Sequence, residues 1–142
     1  MKASKAIALV PLAVLALANT RAESAVTSKV SARQALEIGS NALTAINSGD
    51  YKAYSRDWSA KMKAAIRERE FLSWRDTVLR TAGKYQKIEK QELVAAKTPG
   101  FVKWVFTATF EKGSFLYNLS FPAEGNKVEG AFLEPAPQKA GQ

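Results

Sequence analysis

The sequence predicts an α+β domain in which several helices are followed by a sheet of about four antiparallel strands, with the helices on one face of the sheet. Two observations indicate this order. Before Gly83, apolar residues recur at steps of three and four, which is typical of amphipathic helices. After Gly83 the apolar period becomes two, and it is clearest in residues 101–121, where two alternating runs flank a turn.

Residues 1–22 have the three-part pattern of a secretory signal peptide. Two lysines lie in the first five residues, residues 7–18 form an apolar run, and small residues Thr20 and Ala22 precede Glu23. The apolar run is shorter than the ~20 residues that a membrane-spanning helix needs. We therefore expect a periplasmic or secreted protein with no membrane span after processing. An uncleaved anchor is the alternative.

The remaining chain is short enough for one domain. We expect a flexible lead-in at residues 23–30, a single α+β domain at 31–135, and a disordered tail at 136–142. The chain contains no cysteine and no histidine, and its formal net charge is +8. Without residues 1–22 it keeps 18 basic and 13 acidic residues, a net charge of +5. Nucleic acid is not favoured, because basic and acidic residues alternate, as in residues 67–70.

The first helix is predicted from Ser31, which can cap its amino end, to Ser48, with Gly49 ending it. Gly39 lies within the apolar stripe and weakens the helix, so it indicates a close approach to another element. The residues predicted to form this stripe are Ala35, Leu36, Gly39, Ala42, Leu43 and Ile46.

Three further helices are predicted before the sheet. Asp50 can cap a short helix that runs through Trp58, Ser59 can cap the next, and the last covers residues 68–82. The side chains expected to point inward from the last two helices are Met62, Ala65, Ile66, Phe71, Trp74, Val78 and Leu79.

The sheet is predicted as a meander. Residues 85–95 form the first strand, with Ile88 and Val94 on one side. In the 101–121 hairpin we place Lys112 and Gly113 at the tip. This register pairs Phe110 with Phe115, Ala108 with Tyr117, Phe106 with Leu119 and Trp104 with Phe121, with all eight side chains on one face. Residues 127–133 form the last strand, with Phe132 opposite Tyr117 and Val128 opposite Phe121.

Four short stretches, residues 47–51, 83–85 with Trp74, 110–113 and 126–132, carry a family resemblance. Together with the element order, they resemble a bacterial secreted domain of unknown function within the nuclear-transport-factor-two-like, cystatin-like superfamily. The resemblance covers Ser31 to Pro135. It implies a curved sheet wrapped around helices to form a cone with a hollow end. That superfamily includes isomerases, dehydratases, transport factors and non-catalytic binding or dimerising modules.

The residue types present do not point to catalysis. The histidine that the superfamily's dehydratases use is absent from this chain, as are a Gly-x-Ser-x-Gly elbow and a glycine-rich phosphate loop. Asp50 is placed as a helix cap, and Asp57 and Asp76 lie beside arginines as surface charges. Metal binding is not indicated either, because the carboxylates are scattered and histidine and cysteine ligands are missing. We therefore expect no cofactor.

An apolar pocket at the open end of the cone is the remaining candidate site. Five aromatic residues are predicted to line it, although a purely core role is the alternative: Trp58, Trp74, Trp104, Tyr117 and Phe132. We expect an exported, non-catalytic module that binds a small apolar or anionic ligand or an envelope protein.

Two other functions stay open at this point. One is an orphan enzyme that uses a carboxylate and Tyr117 in isomerase-like acid–base chemistry. The other is a structural homodimer that pairs through the outer sheet face, predicted as Val105, Thr107, Leu116 and Leu133.

The signal-peptide pattern predicts processing. Protein purified from its own host should begin at or near Glu23 and be recovered from the periplasm or medium, because small residues precede that position. Intact-mass spectrometry and cell fractionation measure both points. A membrane-bound product that keeps Met1 would contradict the export prediction.

Overall fold

Helices precede a four-stranded, curved antiparallel sheet in the computed structural model, which describes residues 26–137. This confirms the predicted α+β class and the meander order β1-β2-β3-β4. The predicted signal peptide and residues 138–142 lie outside the described part. No helix within residues 26–137 is long and apolar enough to cross a membrane. The elements are α1 Ala32–Ser48, α2 Tyr51–Tyr54, α3 Ala60–Ala65, α4 Glu68–Thr81, β1 Tyr85–Ala95, β2 Phe101–Phe110, β3 Gly113–Pro122 and β4 Gly130–Pro135.

Helix α1 packs against the sheet through Gly39, as its position in the apolar stripe predicts. A Cβ atom at Gly39 would lie 2.7 Å from Cζ of Phe106, so only glycine leaves room for the ring. Ser31 caps the helix by accepting a hydrogen bond from the backbone N–H of Gln34. Leu36, predicted to face inward, is instead exposed. It lies one residue beyond Ala35, about 100° around the helix and outside the buried stripe.

Helix α2 is shorter than predicted because the chain after it bonds to a distant loop. Asp50 caps it as expected, yet it ends at Tyr54. Trp58 forms a parallel bridge with Val128, and the backbone N–H of Ser59 donates to the carbonyl oxygen of Val128 over 3.0 Å. These bonds require extended backbone at Trp58, so the helix cannot continue to it.

Two burial predictions at the edges of the helical region differ from the structure. Ala65, predicted to face inward from α3, is exposed, while Met62 on the same helix is buried. Val30 belongs to the core with 1% of its surface exposed, although it was predicted to lie in the flexible lead-in. The backbone N–H of Lys29 donates to the carbonyl oxygen of Ala123, which ties this segment to the loop after β3.

The β2–β3 hairpin has the predicted faces but a different register. Phe110 pairs with Gly113 and Phe106 with Tyr117, a shift of two residues from the prediction, so the tip is Glu111 and Lys112. The tip is held by the turn between α4 and β1: Glu111 N–H donates to Lys84 O and Lys112 N–H donates to Ala82 O. A shift of two preserves which face each side chain occupies, and the aromatic face is buried as expected.

The last strand pairs with β3 in a register shifted by one residue from the predicted one. Tyr117 pairs with Leu133, and Asn118 pairs with Phe132. Leu133 therefore faces the core and Phe132 the outer side, the reverse of the prediction. Val128 and Leu133 are both buried although they are five positions apart, a spacing that would place them on opposite faces of one regular strand. Strand β4 begins only at Gly130, because Val128 is already bonded to the segment after α2.

Strand β1 contains irregularities that change its phase. Register shifts occur between Tyr85 and Lys87 and between Ile88 and Lys90. Ile88 consequently pairs with Ala108 of the core face, whereas Val94 pairs with Lys103 of the outer face. The prediction that Ile88 and Val94 share a side is wrong, because each extra residue in a bulge reverses the alternation.

The contact between Gly39 and Phe106 generates a stability prediction. Gly39→Ala should lower the free energy of unfolding by about 1–2 kcal/mol, because overpacking outweighs the better helix propensity of alanine. Urea denaturation measures it. Thr44→Ala, at an exposed position of the same helix, is the control and should change stability by less than about 0.5 kcal/mol. If Phe106→Leu does not relieve the cost of Gly39→Ala in the double variant, the ring is not the cause.

Candidate functional site

Aromatic side chains from α2, the turn after it and α4 gather beside the sheet. Tyr54 and Phe71 are stacked, with ring centroids 4.6 Å apart and planes at 26°. Trp58 meets Tyr54 edge-on, at 5.4 Å and 77°, and Trp74 lies 5.8 Å from Tyr54 at 36°. Helix α4 brings Phe71 and Trp74 to one face because they are three residues apart.

A cavity of about 180 Å³ opens against this cluster. Helix α4 provides one wall, the segment from α2 to α3 another, and strand β4 contributes Ala131. Apart from the carboxylate of Glu70, the lining is mainly apolar. The lining residues are Tyr54, Trp58, Met62, Ile66, Glu70, Phe71, Trp74 and Ala131.

Trp74 also borders a smaller apolar recess of about 40 Å³ between α4 and β4, where Leu133 and Phe115 are among the lining residues. A wider depression of about 460 Å³ lies over α2, but it is more open and much more polar. The cavity next to Trp58 and Trp74 is therefore the larger of the two mainly apolar spaces.

A pair of buried hydroxyl groups lies behind the cavity. The Tyr54 and Tyr117 oxygens are 2.6 Å apart, and Tyr117 is fully buried. Burial raises the pKa of Tyr54, an effect that its hydrogen bond to Tyr117 only partly opposes. Burial also raises the pKa of Tyr117 well above its usual value, and the neighbouring Tyr54 raises it further. Both phenols are consequently protonated at neutral pH, and the pair ties α2 to the centre of the sheet.

The five aromatic residues predicted to line a pocket fall into three groups. Trp58 and Trp74 lie together at the cavity. Tyr117 lies behind them, in contact with the lining residue Tyr54. Trp104 and Phe132 lie elsewhere.

Trp104 is buried within the sheet core and is not among the cavity-lining residues. Its Nε1 is a buried side-chain atom without a hydrogen-bond partner in the described structure. Phe132 lies on the opposite face of the sheet, where Nζ of Lys103 is 5.8 Å from its ring centroid. The one-residue change in the phase of β4 accounts for the position of Phe132.

Sequence reasoning did not assign Tyr54, Glu70 or Ala131 to the site. Glu70 could have been found, because it precedes Trp74 by four residues and so shares its helix face. Its place in the alternating charges of residues 67–70 suggested a solvated surface instead. Ala131 carried no signal, since only the phase of β4 brings it to the cavity.

The aspartates considered for acid–base chemistry lie away from the cavity. Asp50 accepts the capping hydrogen bond of Ala53 at 3.0 Å. Asp57 pairs with Arg56 at 2.9 Å, and Asp76 with Arg80 at 3.6 Å. None of the three lines the cavity or bonds to Tyr117. Within residues 26–137, no group of three or more acidic side chains is placed to hold a metal ion.

The hydroxyl pair generates a prediction for a double-mutant cycle. Tyr54→Phe and Tyr117→Phe should each lower the free energy of unfolding by about 1–3 kcal/mol, because each leaves the other hydroxyl buried without a partner. The double variant should cost less than the sum of the two. Urea denaturation measures all three. Strictly additive losses would mean that the two hydroxyls do not interact.

Comparison with known proteins places the chain in a family without assigning an activity. Residues 40–130 match the family described as "Protein of unknown function (DUF3887)". No curated protein matches the chain. The matched range runs from within α1 to the first residue of β4 and contains every cavity-lining residue except Ala131. Because the match covers more than half of the sequence, the chain belongs to this DUF3887 family of proteins of unknown function.

Proposed function

We propose that this protein is an exported, non-catalytic binding module that holds a small ligand by its apolar part. The observation that carries the proposal is the aromatic-lined cavity between α4, the α2–α3 segment and β4. Its walls come from elements that are tied together by the Trp58–Val128 bridge and by the Tyr54–Tyr117 hydrogen bond. A cavity with such supported walls is largely formed before a ligand arrives, which lowers the cost of binding.

The volume of the cavity limits the ligand. Drug-sized molecules occupy pockets of about 300–1,000 Å³, whereas an engineered apolar cavity of about 150 Å³ binds benzene. A cavity of about 180 Å³ therefore suits a single ring or a short branched alkyl group. A fused-ring steroid is too large to enter completely. The ligand we propose is a small molecule, or the small apolar end of a larger one.

The chemistry of the lining favours binding over turnover. The chain has no histidine and no cysteine. Among the lining residues, the ionisable side chains are those of Glu70 and Tyr54. The raised pKa of Tyr54 keeps its phenol protonated, so it cannot accept a proton at neutral pH. An acid–base pair like that of the superfamily's isomerases would need a second group beside Glu70.

The proposal also includes export from the cytoplasm and membership of a wider superfamily. The charged start, apolar run and small residues of positions 1–22 support export. The order of helices followed by a curved meander supports membership of the nuclear-transport-factor-two-like superfamily. The ligand would then be a compound that the protein meets in the periplasm or outside the cell.

Binding of neutral probes tests this proposal. We expect benzene, toluene and short branched alcohols to bind with dissociation constants of about 1 mM or tighter, and to perturb the fluorescence of Trp58 and Trp74. Calorimetry and fluorescence titration measure the affinity. A larger side chain in the cavity should abolish binding without unfolding the protein, so Ala131→Leu is the test variant.

Ala95→Leu is the matched control, because Ala95 is an exposed alanine on another edge strand, β1. It should leave the affinities unchanged. If no probe binds at saturating concentration, or if Ala131→Leu and Ala95→Leu bind equally well, this cavity is not a ligand site.

A further inference from the structure

We infer that the ligand carries an organic cation, an alkylammonium or methylated ammonium group, which is held by the aromatic rings of the cavity with Glu70 as its counter-charge. This inference rests on the proposed function and names the chemical class of the ligand. Two independent features lead to it: the arrangement of the aromatic rings and the charge of the lining.

Four aromatic side chains are among the residues that line the cavity. Tyr54 and Phe71 are nearly parallel, at 26°, while Trp58 stands at 77° to Tyr54. Trp74 adds a fourth ring, tilted by 36° from Tyr54, and it is only half-buried. One ring is therefore set steeply to Tyr54, while Tyr54, Phe71 and Trp74 are tilted by 26° to 38° from one another. A cation placed over the face of such a ring is attracted to it, as in the recognition of quaternary ammonium groups. Tryptophan, which supplies two of the four rings, gives the strongest attraction to a cation.

The charge that the lining residues carry is negative. Glu70 is the charged side chain among the lining residues, although the chain as a whole is strongly basic, at +8. None of the lysines and arginines of α3 and α4 lines the cavity. A cationic ligand would therefore meet an opposite charge, whereas an anionic ligand would be repelled. This argues against the anionic alternative that the composition had left open.

Glu70 is exposed to solvent, but a hydrogen bond orients one of its carboxylate oxygens. Its Oε1 accepts a hydrogen bond from the backbone N–H of Arg67, the residue before α4, at 2.9 Å. A carboxylate has two oxygens and about four acceptor sites, so this bond leaves capacity for a ligand. The amino end of α4 is the positive end of the helix dipole, and it could favour an anion instead. A set of probes with equal shape and different charge separates these two effects.

Three small molecules provide that set. Choline, 3,3-dimethylbutan-1-ol and 3,3-dimethylbutanoate share a compact branched head of similar size, and they carry a positive, a zero and a negative charge. Calorimetric titration of the purified protein should show choline binding about 10-fold tighter than the alcohol, and the carboxylate binding weakest. An alcohol or a carboxylate that binds as tightly as choline would overturn the inference while leaving the binding function intact.

Two variants assign the effect to named groups. Glu70→Gln keeps the size of the side chain and the capping hydrogen bond but removes the charge. It should weaken choline binding by about 3- to 10-fold and change the affinity for the alcohol by less than about 2-fold. Glu68→Gln removes the same charge from an exposed position of the same helix that does not line the cavity, and it should leave both affinities unchanged.

Trp74→Leu tests the aromatic contribution. Leucine keeps an apolar wall but has no π face, so choline binding should weaken by about 5-fold or more while alcohol binding persists. Choline affinity that is unaffected by both Glu70→Gln and Trp74→Leu would place the cation elsewhere and overturn the inference. If choline, the alcohol and the neutral hydrocarbons all fail to bind, the proposed function fails as well.

Discussion

The bridge between Trp58 and Val128 is the interaction on which the rest of the site depends. Val128 N–H donates to Asp57 O at 2.8 Å, and Ser59 N–H donates to Val128 O at 3.0 Å. These two bonds join the helical region to the loop before the last strand. They end α2 after a single turn, and they turn Trp58 to the interior, where it is 4% exposed. They also decide where β4 begins, and therefore which of its side chains reach the cavity.

A hydrogen bond between two tyrosine hydroxyls lies within the aromatic interior. Tyr54 and Tyr117 are both buried, and one of the two hydroxyls donates a hydrogen bond to the other. Removing polar groups from water is costly unless they are paired, so the pair fixes the position of α2 relative to β3. Phe71, which stacks on Tyr54, and Trp58, which meets it edge-on, are then placed by contact with Tyr54. In this way one hydrogen bond deep in the protein positions the walls of a cavity near its surface.

The cavity itself is a consequence of where the sheet ends. Strand β4 is an edge strand, and residues of β4 and α4 line the cavity together. The β4 residue that faces the cavity is Ala131, whose small side chain leaves the volume unoccupied. The side chains that α4 contributes include the large aromatic rings of Phe71 and Trp74. Phe71 stacks on Tyr54 and therefore does not fill the cavity. The space that remains has aromatic walls and a carboxylate, a combination suited to recognising a cation.

The sequence by itself determined the local features of this protein. Ser31, Asp50 and Ser59 each cap a helix as predicted, because a capping bond involves residues only three apart. The core face of β2 and β3 was also predictable, because alternation along a strand needs no knowledge of its partner. The position of Gly39 in the apolar stripe predicted a close contact with another element, and in the structure that neighbour is the ring of Phe106.

Only the tertiary structure decided the register of the sheet and the composition of the site. Shifting the hairpin by two residues leaves every face unchanged, so alternation alone cannot choose between registers; the contacts of Glu111 and Lys112 with the α4–β1 turn do so. A shift of one residue in the pairing of β4 exchanges its core-facing and outward-facing side chains. The pairing is set by the bridge from Val128 to Trp58, which lies seventy residues earlier in the chain. That register sends Phe132 to the outer face and brings Ala131 to the cavity that Glu70 also lines. Local periodicity carries no information about such bonds, because they form between segments that meet only when the chain has folded.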